Sequence, residues 1–301
     1  MSLLVVGTVA LDSVRTPFGE VRDALGGSAT FAALAASYFT DVAVVAVVGS
    51  DFPEEHLEFL ALHGIDTAGI ATREGETMRW AGVYGYDLND RDTIETRLNV
   101  FKDFRPVIPP ELRGAGFLFL ANMDPLIQQS VLEQMEGCRL VALDTMNFWI
   151  EGKNPELKEA LRRVDLLVLN DSECRQLAEE PNLIKAAKQV QRMGPANVVV
   201  KKGEHGAVML CGDRLFFAPA YPCETVFDPT GAGDTFAGGM LGSLLTGSDL
   251  THESLRRAVI YGTVMASFCV ERFSVEGLDG LSHREIEGRA RLLREITSFG
   301  L

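Results

Sequence analysis

The segment Asp228-Pro-Thr-Gly-Ala-Gly-Asp234 sets two carboxylates and a hydroxyl around two glycines, and Phe236, Met240, Leu241, Leu244 and Leu245 follow on one face at helical spacing. A glycine-rich turn that opens a buried helix leaves the first backbone N–H groups without intrahelical partners. Their partial positive charge suits an anion such as a phosphoryl group in transfer. Asp234 falls just inside the helix, placed to take the proton of an attacking hydroxyl while the amides of Gly231, Ala232 and Gly233 face the phosphate. The chemistry expected is phosphoryl transfer to a hydroxyl. Taken alone, Gly-Ala-Gly-Asp is equally an acid-capped helix start.

Two other glycine-rich sites are excluded by the letters. A dinucleotide fingerprint needs a third glycine where Phe236 stands and an early β-α-β unit, whereas this turn lies near the C-terminus. The P-loop pattern, Gly-x-x-x-x-Gly-Lys-Ser/Thr, occurs nowhere in the chain.

The elements that must hold the turn are legible as alternation. Leu3–Gly7 and Val42–Gly49 are short apolar runs ending in glycine, as expected of strands buried on both faces, with an Ala-rich helix from Ser28 to Phe39 between them. Pro53 starts a helix that Gly64 stops. Further strands are expected at Phe117–Ala121, Leu140–Asp144, Leu166–Asn170 and Asn197–Lys201, with helices near 125–137, 155–163, 171–178 and 183–193. This rhythm predicts an α/β fold with a doubly wound, mostly parallel sheet flanked by helices. Residues at about 12–25 and 77–104 break it and are read as excursions forming a small β lid, Met78, Trp80, Tyr84 and Tyr86 on one strand face and Arg79 and Val83 on the other. With no linker or repeat in view, residues 1–301 are expected to form one domain.

A formal charge of −14, from 42 acidic and 28 basic residues, argues against a nucleic-acid backbone as partner. The five cysteines are scattered, none spaced as Cys-x-x-Cys, which fits a reducing compartment. The N-terminus lacks a signal-length apolar run and no membrane-length stretch occurs, so a soluble, cytoplasmic chain is expected.

The longer pattern Asp228-x-Thr-Gly-Ala-Gly-Asp-Thr-Phe-x-Gly-Gly239 resembles the C-terminal signature of the ribokinase-like (PfkB) carbohydrate and nucleoside kinases. Other landmarks follow in the family's order. Gly7 through Asp12 is similar to the first strand with its substrate aspartate, Gly26-Gly27 to the substrate loop, and Val48-Gly-Ser-Asp51 to the element after it. Asn170-Asp-Ser-Glu173 is similar to the Asn-x-x-Glu motif, and Lys202-Gly203-Glu-His-Gly206 to the turn that lines the nucleotide.

The resemblance implies an ATP-dependent kinase for a hydroxyl of a small metabolite, a sugar first and a nucleoside as the alternative. An intact Asp234 argues against a metabolite-binding regulator without chemistry. It also implies that Asp12 binds substrate hydroxyls, that Glu173 holds magnesium through water, and that Asn170, Lys202, Gly203 and Gly206 meet ATP. Asp228 and Thr230 match two ligands of a potassium-type monovalent cation, with backbone oxygens near Cys269, Arg272 and Ser274 completing its shell. Ala10 and Phe31 depart from the family, standing where ribokinase-type members carry asparagine. Phe31 is therefore expected either as an apolar substrate wall or as a core residue. Asn122 and Asn147, after strand ends, are further substrate candidates, and Arg79 and Tyr84 candidates from the lid. The lid could also pair with a second subunit.

Overall fold

The computed structural model describes residues 2–247 and 249–298, so residues 1, 248 and 299–301 of the expected domain lie outside the described residues. Strand β1 (Ser2–Val6) is followed by β2 (Ala10–Thr16), β3 (Gly19–Gly26), helix α1 (Ser28–Ser37), β4 (Asp41–Gly49), α2 (Glu54–Leu62) and β5 (Ile65–Arg73). After β6 (Arg79–Tyr84) and β7 (Arg91–Arg97) come β8 (Phe117–Leu120), α3 (Pro125–Leu132), β9 (Leu140–Asp144), α4 (Asn147–Gly152) and α5 (Asn154–Leu161). The chain continues with β10 (Leu166–Asn170), α6 (Asp171–Ala178), α7 (Leu183–Gln191) and β11 (Asn197–Lys201). The hairpin of β12 (Ala207–Cys211) and β13 (Arg214–Ala218) then leads to α8 (Ala232–Leu245), α9 (His252–Cys269) and α10 (His283–Thr297).

Among the described residues nine strands form one sheet in the order β13-β12-β11-β10-β9-β8-β1-β4-β5, parallel except for β12 and β13. Its apolar runs are explained by burial on both faces. In β1, Leu3 and Val5 enter the layer that holds α1, α8 and α9, whereas Leu4 and Val6 enter the opposite layer with α3, α5, α6 and α7. All parallel strands from β1 to β11 therefore end on one edge, where an open α/β sheet binds ligands.

Helix α8 is buried throughout from Thr235 to Leu244, which corrects the expected single apolar face. Glycines make this possible. A Cβ at Gly238 would overlap the Ala32 backbone of α1, and one at Gly239 would strike Met265 of α9. The helix that carries the turn is thus clamped between two others at backbone distance.

The excursions pair with each other in a four-stranded sheet, β3-β2-β6-β7, with β2 and β6 parallel and the outer pairs antiparallel. Tyr84 of β6 is buried while Tyr86 is fully outside, so the two do not share an environment. Sequence reading missed β5, β12 and β13. Strand β5 is a half-exposed edge without an apolar run, but the Gly212-Asp213 turn, with Gly212 at φ 56°, was a usable hairpin signal.

Candidate active site

The turn before α8 is fixed from both sides. Gly231, the N-cap, has φ 74°, a left-handed conformation that favours glycine. A side chain there would run into the Phe31 ring of α1. The Asp228 carboxylate accepts hydrogen bonds from the backbone N–H of Thr230 (2.9 Å) and of Ser274 (3.3 Å). The backbone N–H groups of Phe227 and Asp228 both donate to the Val270 carbonyl, at 2.8 and 3.3 Å. Residues 228–230 and 269–274 are thereby brought together, as a shared cation shell would require, and the Cys269 thiol donates to the Thr230 carbonyl at 3.5 Å.

Asp234 is the third residue of α8, partly exposed at the mouth of the site. Its carboxyl is pushed up to about 7, first by burial among protein atoms and then by the Asp144 carboxylate, while Lys201 and Arg91 oppose the shift. Asp12, on β2, feels its charge and is also raised to about 7. Burial is the main cause, the Gly27 N–H opposes it, and Asp228 and Asp234 add like charge. The Gly27 N–H donates to Asp12 Oδ2 at 3.3 Å, and the absence of a side chain at Gly26 makes room for that carboxylate. A buried carboxyl, Asp12, and a partly exposed one, Asp234, thus lie beside the N-terminal amides of α8.

Phe31 is 1% exposed and its ring backs Gly231. Of the two expectations for Phe31, its burial fits the core residue: the ring is packing that supports the turn. Ala10 is buried and pairs with Gly26 in the β2–β3 ladder. Asn122, just after β8, borders the segment that follows Gly26-Gly27, since Ser28 Oγ donates to its carbonyl at 3.4 Å. Its side-chain oxygen accepts from Trp149 Nε1 at 3.0 Å. Asn147 begins α4 and is exposed. Arg79 pairs with Asp51 at 2.8 Å and Asp23 at 3.3 Å, a lid-to-body tie rather than a free ligand.

On the other flank, Asn170 and Glu173 form a reciprocal capping box for α6: Glu173 N–H donates to Asn170 Oδ1, and Asn170 N–H to Glu173 Oε2, each at 2.7 Å. Burial, followed by Asp144, raises the Glu173 carboxyl to about 7. The Lys202–Gly206 turn links β11 to β12, closed by Lys202 N–H donating to the Gly206 carbonyl at 2.8 Å. Lys202 and His205 line a groove of about 460 Å³ whose apolar floor includes Ala207, Phe216, Ala218 and Ile260.

Several site residues escaped sequence reading. Lys201 ends β11 and its ammonium meets Asp144, at the end of β9, at 2.8 Å. Both are nearly enclosed, and the space beside Gly233 is filled by the Lys201 ammonium, 2.9 Å from where a Cβ would stand. Arg91 lies opposite Tyr84 in the lid ladder and bears electrostatically on both Asp234 and Glu173. Tyr84 OH accepts from Thr230 Oγ1 at 3.3 Å, and Asn89 contacts Gly203 and Glu204, so the second sheet touches both the anion turn and the nucleotide-type turn. Asp144 and Lys201 each had one available signal, a charge at the C-terminal end of an otherwise apolar parallel strand.

Residues 4–278 match the pfkB family carbohydrate kinases. The chain is 30% identical over 260 residues to the cytidine kinase of Thermococcus kodakarensis, covering 83% of this chain and 91% of that protein. It is 26% identical over 290 residues to the nucleoside kinase of Methanothermobacter thermautotrophicus, covering 89% of each. In three dimensions it is similar to the fructokinase of Vibrio cholerae, with a TM-score of 0.81 at 15% identity over 96% of this chain and 98% of that one. It is likewise similar to the nucleoside kinase of Methanocaldococcus jannaschii, with a TM-score of 0.77 at 20% identity over 97% and 98%. The ribokinase-type fold, the family signature and the acid on its anion-binding turn agree: the chain belongs to the pfkB family and is a small-molecule kinase.

Proposed function

We propose that the protein is a nucleoside kinase that transfers the γ-phosphoryl group of ATP to a hydroxyl of its acceptor. The observation that carries the reaction is Asp234, the third residue of α8 on its glycine-rich N-terminus, with its carboxyl raised to about 7. The similarity to cytidine and nucleoside kinases over most of both chains supports a nucleoside over the sugar that the sequence put first. Ala10 and Phe31, in place of two asparagines, also remove polar partners for a small sugar.

Asp12 accepts hydrogen bonds from acceptor hydroxyls and Asp234 takes the proton of the attacking one. The new O–P bond forms as the bond from the γ-phosphorus to the bridging oxygen breaks, and ADP leaves. The amides of Gly231, Ala232 and Gly233 stabilise charge on the transferred group. The Lys202–Gly206 turn and the apolar groove beside it suit the nucleotide, whose base would lie against Phe216 and Ile260. The second sheet acts as a lid, with Tyr84 and Arg91 closing over the turn and keeping water out.

Glu173 fits magnesium held through water, because Asn170 fixes one carboxylate oxygen and leaves the other available. Magnesium bound with ATP supplies charge neutralisation of the phosphates. Asp228, Thr230 and the 269–274 backbone fit a monovalent cation, and activity in potassium should exceed that in sodium or cation-free buffer. Equal rates in the three buffers would remove that site. The acceptor is tested by an ATP-consumption screen over cytidine, other nucleosides, sugars and polyols, with Asp234→Asn as blank. Preferred turnover of a sugar would replace the nucleoside reading, and equal activity of the Asp234→Asn blank would remove the assignment of the base.

A further inference from the structure

The pair Asp144–Lys201 has no part in the proposed reaction, yet it abuts the turn beside Asp234. Strands β9 and β11 flank β10, so their C-terminal residues converge across one strand. There Lys201 Nζ meets Asp144 Oδ2 at 2.8 Å and occupies the space that a side chain at Gly233 would need. Asp144 receives a second restraint from the N–H of Thr145, at 2.7 Å. Withdrawing both charges from water is costly, and a hydrophobic pair of the same volume would serve packing at least as well. An ion pair placed against an anion-binding turn therefore calls for an electrostatic reason.

We propose that Lys201, held by Asp144 against Gly233, is a positioning residue of the phosphoryl-transfer site: it fixes the anion-binding turn and keeps the adjoining Asp234 in the form that accepts a proton. The proposal rests on the reading of Asp234 as the base. The charged and titratable groups around Asp234 and its ion pair come from several elements: Asp144 from β9, Lys201 from β11, Arg91 from β7, Asp12 from β2 and Cys269 from α9, with Glu173 of α6 acting on Lys201. Lys201 and Arg91 favour the ionised carboxylate, and Asp144 opposes it. Burial works against the Lys201 charge, but Asp144, Glu173 and Asp234 hold its proton affinity above the usual value. The ammonium therefore persists across the working pH range. Two partners of one ion pair thus act on Asp234 in opposite senses, so removing one or the other should displace its titration in opposite directions.

The test titrates Asp234 directly, by NMR of carboxyl-labelled aspartate in the ATP-free protein, and follows the acid limb of kcat/KM in parallel. In Asp144→Asn, Lys201 acts without its counterweight, and the Asp234 titration should fall by about one pH unit or more. In Lys201→Met two buried carboxyls face each other without a cation, and it should rise. Lys201→Arg, which keeps the charge, should stay near the parent. If Asp144→Asn does not fold, Lys201→Met carries the same test with the opposite sign. Folded variants whose Asp234 titration matches the parent would overturn the proposal, as would displacement of both in one direction. Loss of the base assignment reads differently: Asp234→Asn would then retain turnover, whatever the titration shows.

Discussion

As the proposed base, Asp234 combines two demands that conflict in water, being ionised enough to take a proton and close to an anion. The helix N-terminus supports the ionised form, whereas burial and Asp144 weaken it, and the result is a carboxyl near 7. Asp234→Asn should lower kcat by about 10²–10⁴-fold while sparing ATP affinity, measured by initial rates and by calorimetry. Retained turnover would show that another group takes the proton. Since the base must be ionised to work, activity should fall as pH drops through about 7, and a rate independent of pH between 5.5 and 8 would contradict the assignment. Asp228 illustrates how a motif letter can have a structural duty beside its expected ligand role, for it clasps the backbone at Thr230 and Ser274.

At the scale of elements, the site depends on how closely α1, α8 and α9 approach. Gly231 turns the chain into α8 in a left-handed conformation and lies on Phe31. Gly231→Ala should cost about 1–3 kcal/mol of stability, read by urea denaturation, and reduce turnover further by moving the amides. Phe31→Leu in the same chain should recover part of the loss, because it shortens the ring the new methyl strikes. An unchanged deficit in the double variant would show that backbone strain alone is responsible. The capping box on α6 has a separate role: Asn170→Ala should destabilise the protein by about 1 kcal/mol and also weaken ATP binding if Glu173 is misplaced. The parallel strands were legible because two buried faces require uninterrupted apolar residues, and the helix bounds near 171–178 followed from Asn170 and Glu173. Edge strands and the all-round burial of α8 were not, since exposure at an edge and packing by glycine leave no periodic signal.

For the molecule as a whole, Asp12, Glu173 and Asp234 are all raised to about 7, so folding disfavours their ionised forms. Such groups contribute stability that is fully present below their unfolded values near 4 and is lost as pH rises through 7. The ATP-free protein should therefore resist urea better at pH 5.5 than at pH 8. Asp51 and Glu285, whose values are lowered, act in the opposite sense only towards lower pH. Asp234→Asn should be more stable than the parent at pH 8 by about 1 kcal/mol, and a less stable variant would contradict the burial argument. The sequence by itself determined the alternating α/β plan, the anion turn and its acid, because these are written in contiguous letters whose backbone consequences are local. Only the tertiary structure decided that Asp144, Lys201 and Arg91 bear on that acid, that Tyr84 meets Thr230 and that Phe31 supports the turn. Each comes from a different strand or helix, and their meeting depends on strand order and on the second sheet folding over the first, which no local pattern encodes.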